Sequence, residues 1–247
     1  MQLPPSHRPL VYKKPINEGQ TIRLHAGHVK ALKLRAIKPK EAFTIADQEG
    51  RFFRASLVSL HAQHGQALVY EEMSCSPESP IYITLFCAVL GRQRMLPVIQ
   101  KATELGVVRI VPVLSEFSVP ADGLAHQKAH SWPKQALRAA RQCRRGSLPE
   151  VLPAISLVEA MRHRCFTEAD VQIFLDDRRT GNLAGIAKAA GISIAFFVGP
   201  EGGWSEQECS SFISAGVHSL QIGGRVLRAE TAVYAGLTIL QHQYGDM

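Results

Sequence analysis

"FFVGPEGGWSEQE", residues 196–208, joins an apolar run to a glycine-rich loop and then to a polar stretch. Phe196, Phe197 and Val198 close a strand-like segment, Gly199-Pro200 stops it, and Gly202-Gly203 follow a lone acid, Glu201. Ser205-x-x-Glu208 has the form of a capping box, which opens a helix, and Trp204 and Cys209 hold the positions of a hydrophobic staple across that cap. The stretch predicts strand, turn and helix in succession. Glycines allow close approach of the backbone to a ligand and positive φ, and Pro200 stiffens the turn. A tight turn without any ligand is the alternative reading of so short a motif.

The same rhythm extends outward in both directions. Residues 81–90, 107–114, 171–177 and 193–199 are apolar runs of the kind that form buried parallel strands. Between them, Val98, Ile99, Ala102 and Leu105 line one face of a helix that Gly106 is placed to cap. A basic helix is expected over about 131–145, a short helix over 182–191, a strand within 217–223 and a last helix over 229–243. Alternating strands and helices predict an α/β domain with a mostly parallel sheet over 81–247. Residues 1–73 read differently. Three short strand-like runs (41–47, 51–60 and 66–73) and a short helix near 28–35 suggest a small β-barrel. "SCSPESP", 74–80, is the linker between the two domains.

In open α/β sheets ligands sit beyond the carboxyl ends of strands. Three such ends stand out: Leu175-Asp176-Asp177, Gly199 to Gly203, and Ile222 to Arg228. At the third, Arg228 either pairs with Glu230 or leaves a helix start near Ala229 free to meet an anion. The common nucleotide motifs G-x-x-x-x-G-K-[ST] and G-x-G-x-x-G do not occur. Ser205 lacks the final glycine of a nucleophile elbow and serves better as a cap.

Five cysteines, widely spaced and without C-x-x-C, argue against zinc and against a disulfide framework. No metal is expected. His126 and His130 are read as part of a solvated helix face. No segment is apolar and long enough to span a bilayer, and "MQLPPSHRPL" lacks the apolar core of a signal peptide. A cytoplasmic protein without membrane attachment is expected. The net charge is +7. Residues 1–40 carry nine Lys or Arg and a single acid, Glu18. Lys134, Arg138, Arg141 and Arg145 recur at helical spacing with no acid in 123–149. Such a one-signed stripe favours a phosphate-bearing partner over a merely solubilising face.

Four stretches, "KATELGV" (101–107), "AARQCRRGSLPEV" (139–151), "VGPEGGWSEQE" (198–208) and "IGGRVLRAETA" (222–232), together resemble the successive motifs of the RsmE-type ribosomal-RNA methyltransferases of the SPOUT superfamily. The resemblance covers almost the whole chain and is weaker before residue 80. It implies a PUA-like, RNA-binding N-terminal barrel, a C-terminal domain with a trefoil knot, and a homodimer with the active site near the subunit interface. It also implies S-adenosylmethionine as cofactor and ring nitrogen 3 of a small-subunit ribosomal RNA uridine as the methyl acceptor. The cofactor would be held, largely by backbone groups, by Leu175 and Asp176, by Val198, Gly199, Pro200, Glu201, Gly202 and Gly203, and by Ile222, Gly223, Val226, Leu227, Arg228, Thr231 and Ala232. Arg228 would stabilise the uridine anion, with Glu201 and Glu230 as candidate bases or as structural acceptors. Lys33, Lys101, Lys134, Arg138, Arg141, Gln142 and Arg145 would meet RNA, with Glu104 a structural partner of Lys101. Five positions depart from the family pattern, among them Ala31 in place of Val. Ala229 replaces Thr, Phe117 replaces Arg, Arg141 replaces Glu, and Lys33 replaces Arg. A non-catalytic RNA-binding protein on this fold, or a methyltransferase of another base, are the competing readings.

Overall fold

The computed structural model describes residues 8–178 and 191–247. The described residues form two compact units: one made of 8–78 with 140–148, the other of 79–139 with 149–178 and 191–247. The helix expected over 182–191 lies outside the described residues except for Gly191.

The first unit is built on an antiparallel sheet of four strands, β1 (Thr21–Leu24), β2 (Ala42–Ala46), β3 (Phe52–Leu60) and β4 (Gly65–Glu72), in the order β1-β4-β3-β2. A parallel bridge between Val11 and Ala46 extends its β2 edge. Helix α1 (Ala26–Leu34) turns Val29 and Leu32 inward. Alternate residues of the strands, including Ile22, Leu24, Ile45, Phe53, Leu57 and Val69, form the core with Ile16 and Ile37. Strand β1 was not foreseen, because "TIRL" is too short and too charged to stand out. Residues 140–148, which the sequence places in the second domain, pack with this unit. Gly146, for example, lies against Phe52 and Thr44.

The second unit is a three-layer α/β structure. Its seven parallel strands are β5 (Tyr82–Ala88), β6 (Arg109–Leu114), β7 (Glu150–Val151), β8 (Ile155–Ser156), β9 (Val171–Leu175), β10 (Ser193–Val198) and β11 (His218–Leu220). Their order is β11-β9-β10-β5-β6-β7, with β8 also pairing to β6. Side-chain alternation decides which residues face which layer. Ile83, Leu85, Cys87, Ile194, Phe196 and Val198 pack against helices α2 (Arg92–Glu104), α3 (Trp132–Gln142) and α7 (Ala229–Tyr244). Phe86, Phe174, Ala195 and Phe197 face the opposite way, toward α4 (Leu157–Arg162), α5 (Arg164–Thr167) and α6 (Glu206–Ser214). Both faces are covered, so the strands read as unbroken apolar runs. Gly236 lets α7 settle directly onto the ring of Phe196, at a separation that leaves no room for a Cβ.

The basic helix is shorter than expected. Regular α-structure stops at Gln142, and Arg144 takes φ +63°. His126 and His130 do not share an α-helix. His126 lies in the turn between two short 3-10 segments, Ala121–Leu124 and Ala129–Ser131, and His130 lies in the second, with Lys128 at φ +52°.

Candidate active site

Strands β11, β9 and β10 are neighbours, although β10 follows β9 in the chain and β11 is added beyond β9. The carboxyl ends of all three therefore lie side by side, and the three loops singled out in the sequence meet there. Their convergence forms a cleft of about 630 Å³, counting the part open to bulk solvent. Its walls include Leu175, Asp176, Val198, Gly199, Pro200, Glu201, Gly203, Ile222, Val226, Leu227 and Ala232. Gly202, Gly223, Arg228 and Thr231 belong to the same loops but do not line the cleft. Asp177 and Arg225, inside the loops singled out in sequence but not named as cofactor residues, also line it, as do Trp204, Leu220 and Ala229, which were missed as lining residues. Trp204 was read only as a staple, and Ala229 carries no polar signal.

The geometry of the glycine loop follows from a few bonds. Gly203 stands at φ +72° and its N–H donates to the Pro200 carbonyl at 2.9 Å, closing a tight turn. Ser205 caps α6: its hydroxyl accepts from the Glu208 N–H, and the Glu208 carboxylate accepts from the Ser205 N–H at 2.9 Å. Trp204 and Cys209 are both buried in the same apolar cluster, as a staple requires. The Trp204 indole N–H also donates to the Leu175 carbonyl at 3.1 Å, which ties this loop to the end of β9. Gly199 lies so close under that indole that a Cβ would come within 3.2 Å of it.

The β9 loop has its own clasp. Arg178 donates to the Asp176 carboxylate at 3.3 Å, to Glu206 at 2.8 Å and to the Trp204 carbonyl at 2.8 Å. Burial opposes the charge on Arg178, but the Asp176 carboxylate outweighs it and the guanidinium is held above its ordinary value. The Asp176 N–H donates to the Leu220 carbonyl at 3.1 Å, aligning the ends of β9 and β11.

On the far side stand the candidate acid–base groups. Glu230 lies in the first turn of α7, and Arg228 is its N-cap residue. Among the described residues no ion pair joins these two. Arg228 is exposed, whereas Glu230 faces Arg94 of α2 at 3.9 Å. Arg94 is also bonded to Glu201. The hydrogen bond that Arg94 donates to Glu201 is the main cause that holds Arg94 above its ordinary value. One Glu230 carboxylate oxygen is buried without a hydrogen-bond donor. Cys87, fully buried beneath this group, is pushed up to about 12 by burial and by Glu201. It keeps its proton and is no nucleophile. Arg94 was invisible in the sequence, one of two arginines at the start of an amphipathic helix. Phe117, where the family pattern has Arg, is half exposed and packs on Gly202: a Cβ there would lie 2.9 Å from that of Phe117.

A family model described as the RNA methyltransferase domain matches residues 77–241. A ribosomal RNA small subunit methyltransferase E from Mycobacterium bovis is 30% identical over 212 residues, covering 84% of this chain and 80% of the relative. One from Aquifex aeolicus is 27% identical over 233 residues, covering 94% and 99%. The crystal structure of a ribosomal RNA small subunit methyltransferase E from Neisseria gonorrhoeae, bound to S-adenosyl methionine, superposes with TM-score 0.68 at 32% identity, covering 98% of this chain and 100% of that one. The chain belongs to the ribosomal RNA small subunit methyltransferase E family.

Within the methyltransferase E family fold, the basic residues expected to meet RNA separate into two kinds. Lys33, Lys134, Arg138 and Gln142 are exposed. Lys101 is exposed but paired with Glu104 at 2.7 Å, and Arg141 is half exposed and paired with Glu41 at 2.7 Å. Arg145 corrects the expectation of a four-residue stripe. Because the helix ends at Gln142 and Arg144 turns left-handed, Arg145 swings inward and is only 8% exposed. It donates to Glu78 at 2.8 Å and to the Ser147 hydroxyl at 3.1 Å. The acids missing from 123–149 are supplied by the other segment of the same unit. Among the described residues no group of His, Cys, Asp or Glu has the arrangement of a metal site, and no helix is long and apolar enough to cross a membrane.

Proposed function

We propose that this chain transfers a methyl group to ring nitrogen 3 of a uridine in small-subunit ribosomal RNA, with S-adenosylmethionine as donor. The observation that carries the reading is the convergence of three loops, two of them glycine-bearing, on one cleft at the ends of three adjacent parallel strands. The cleft suits the cofactor. Leu175, Val198, Ile222, Val226, Leu227 and Ala232 offer apolar walls, and the close glycine turns expose backbone groups. When bound, the cofactor supplies an already activated methyl group, so alignment and exclusion of water remain for the protein.

Arg228, between the cleft-lining Leu227 and Ala229 and in no ion pair among the described residues, is the cation that would stabilise a uridine anion. Glu230 does not line the cleft, but one of its oxygens is buried without a donor among the described residues, and it is the less committed of the two candidate bases. Glu201 is tied to Arg94 and acts as a structural acceptor. Lys134 and Arg138, exposed and free of acids in the described ion pairs, position phosphates without reading sequence. A cytoplasmic homodimer acting on the small subunit is part of this reading.

The test is methyl transfer. Purified protein, labelled S-adenosylmethionine and undermodified small ribosomal subunits are incubated, and the RNA is digested to nucleosides. Label in 3-methyluridine is expected. Label in another nucleoside overturns the acceptor, and no label with no cofactor binding overturns the enzyme reading.

A further inference from the structure

Glu201 is the charged side chain at the tip of a loop containing three glycines, the kind of backbone that loses most entropy on ordering. On one side the loop is tied by Trp204 to β9. On its other side, among the described ion pairs, one side chain ties it to α2 and α7. Arg94, in the first turn of α2, bonds to the Glu201 carboxylate and holds its Nε 3.9 Å from Glu230 in the first turn of α7. Three segments that are distant in sequence thus meet on one guanidinium. Arg94 and Glu201 are each about 40% exposed, so solvent reaches the group (side-chain values 43% and 38%), while Glu230 is more enclosed at 20%.

We propose that Arg94 is a positioning residue of the cofactor cleft, coupling the glycine loop after β10 to the start of α7 through Glu201 and Glu230. The inference rests on the cofactor reading above. The chemistry favours arginine specifically. A planar fork can serve two carboxylates from two directions, whereas a lysine ammonium is a point charge. Without the cation, Glu201 and Glu230 would face each other with like charge, and the loop would be free to move away from α7. Arg94 itself lies outside the lining of the cleft, so it acts through the loop and not by touching the cofactor.

The test uses the full chain and two independent readouts. Hydrogen exchange of the loop amides at 199–204 is measured without cofactor, and S-adenosylmethionine affinity is measured by calorimetry. Arg94→Ala is expected to speed loop exchange and weaken affinity about tenfold. Arg94→Lys should recover only part of both, because a point charge cannot reach the two carboxylates as a fork does. Glu201→Gln added to Arg94→Ala should speed loop exchange no further, because the partner is already gone. Unchanged exchange in Arg94→Ala, or exchange effects that simply add with Glu201→Gln, would overturn the proposal. If the wild-type chain binds no S-adenosylmethionine, the functional reading fails, and the exchange data still decide the role of Arg94.

Discussion

The indole of Trp204 and the carbonyl of Leu175 are joined by a 3.1 Å hydrogen bond that spans two neighbouring strand ends. Trp204 is buried and also packs edge-on against Phe212. Trp204→Phe keeps an aromatic ring there but leaves the Leu175 carbonyl without its donor. A loss of about 1–3 kcal/mol in stability is expected, with weaker cofactor affinity because two walls of the cleft part. Urea unfolding and calorimetry on the same protein check both.

Gly202 faces Phe117 too closely for a Cβ, at 2.9 Å from the Cβ of Phe117. Gly202→Ala should displace the loop and lower cofactor affinity. The combination with Phe117→Gly should restore it, since the obstructing side chain is then absent. If the double variant binds as poorly as the single one, the obstruction is not the cause.

Arg228→Ala should separate chemistry from binding. Turnover is expected to fall by at least about 100-fold, the scale of losing one transition-state electrostatic contact. Cofactor affinity should stay within about twofold. Undiminished turnover in labelled methyl transfer would remove Arg228 from the mechanism.

Arg145 and Lys134 should respond in opposite ways. Lys134→Ala and Arg138→Ala are expected to reduce the salt dependence of RNA binding by about one unit each, with no change in melting temperature. Arg145→Ala should destabilise the protein by about 3 kcal/mol, because it strands a buried carboxylate. Filter binding across a salt series and thermal melts distinguish the two classes.

The same pair gives a pH signature. Burial alone would raise the Glu78 carboxyl, but the Arg145 charge and the bonds from Arg145 and Ser147 outweigh it and hold Glu78 below the usual carboxylate range. A depressed folded-state value means the stabilisation is complete above the unfolded carboxylate value, about 4.3. It is lost as pH falls through the lower folded value. Unfolding free energy measured from neutral pH into that acid range should drop in the wild type, and this part of the drop should vanish in Glu78→Gln.

The parallel sheet was legible because its strands are covered on both faces and so read as continuous apolar runs, as at Ile81–Leu90. The start of α6 was legible because Ser205 and Glu208 satisfy each other locally. What escaped is what depends on distant partners. Nothing in "RRG" around Arg144 announces a left-handed residue, so Arg145 looked like one more cation on a helix face. Strands β7 and β8 have two residues each and exist only because β6 offers them an edge. The cleft was found through its glycines, whereas Arg94, its link to α7, has no local signature. Its partners lie more than a hundred residues away in the chain.

The return of residues 140–148 to the first unit bears on how the chain can be divided. A cut near residue 78 would leave the C-terminal fragment holding Arg145, Gly146 and Ser147 without Glu78, Thr44 and Phe52, the groups that bury and neutralise them. The N-terminal fragment would keep Glu78 with no cation. Neither piece is a whole folding module. Limited proteolysis at that junction should therefore yield nicked protein that stays associated until it unfolds, and separate expression of the two fragments should fail where their co-expression succeeds.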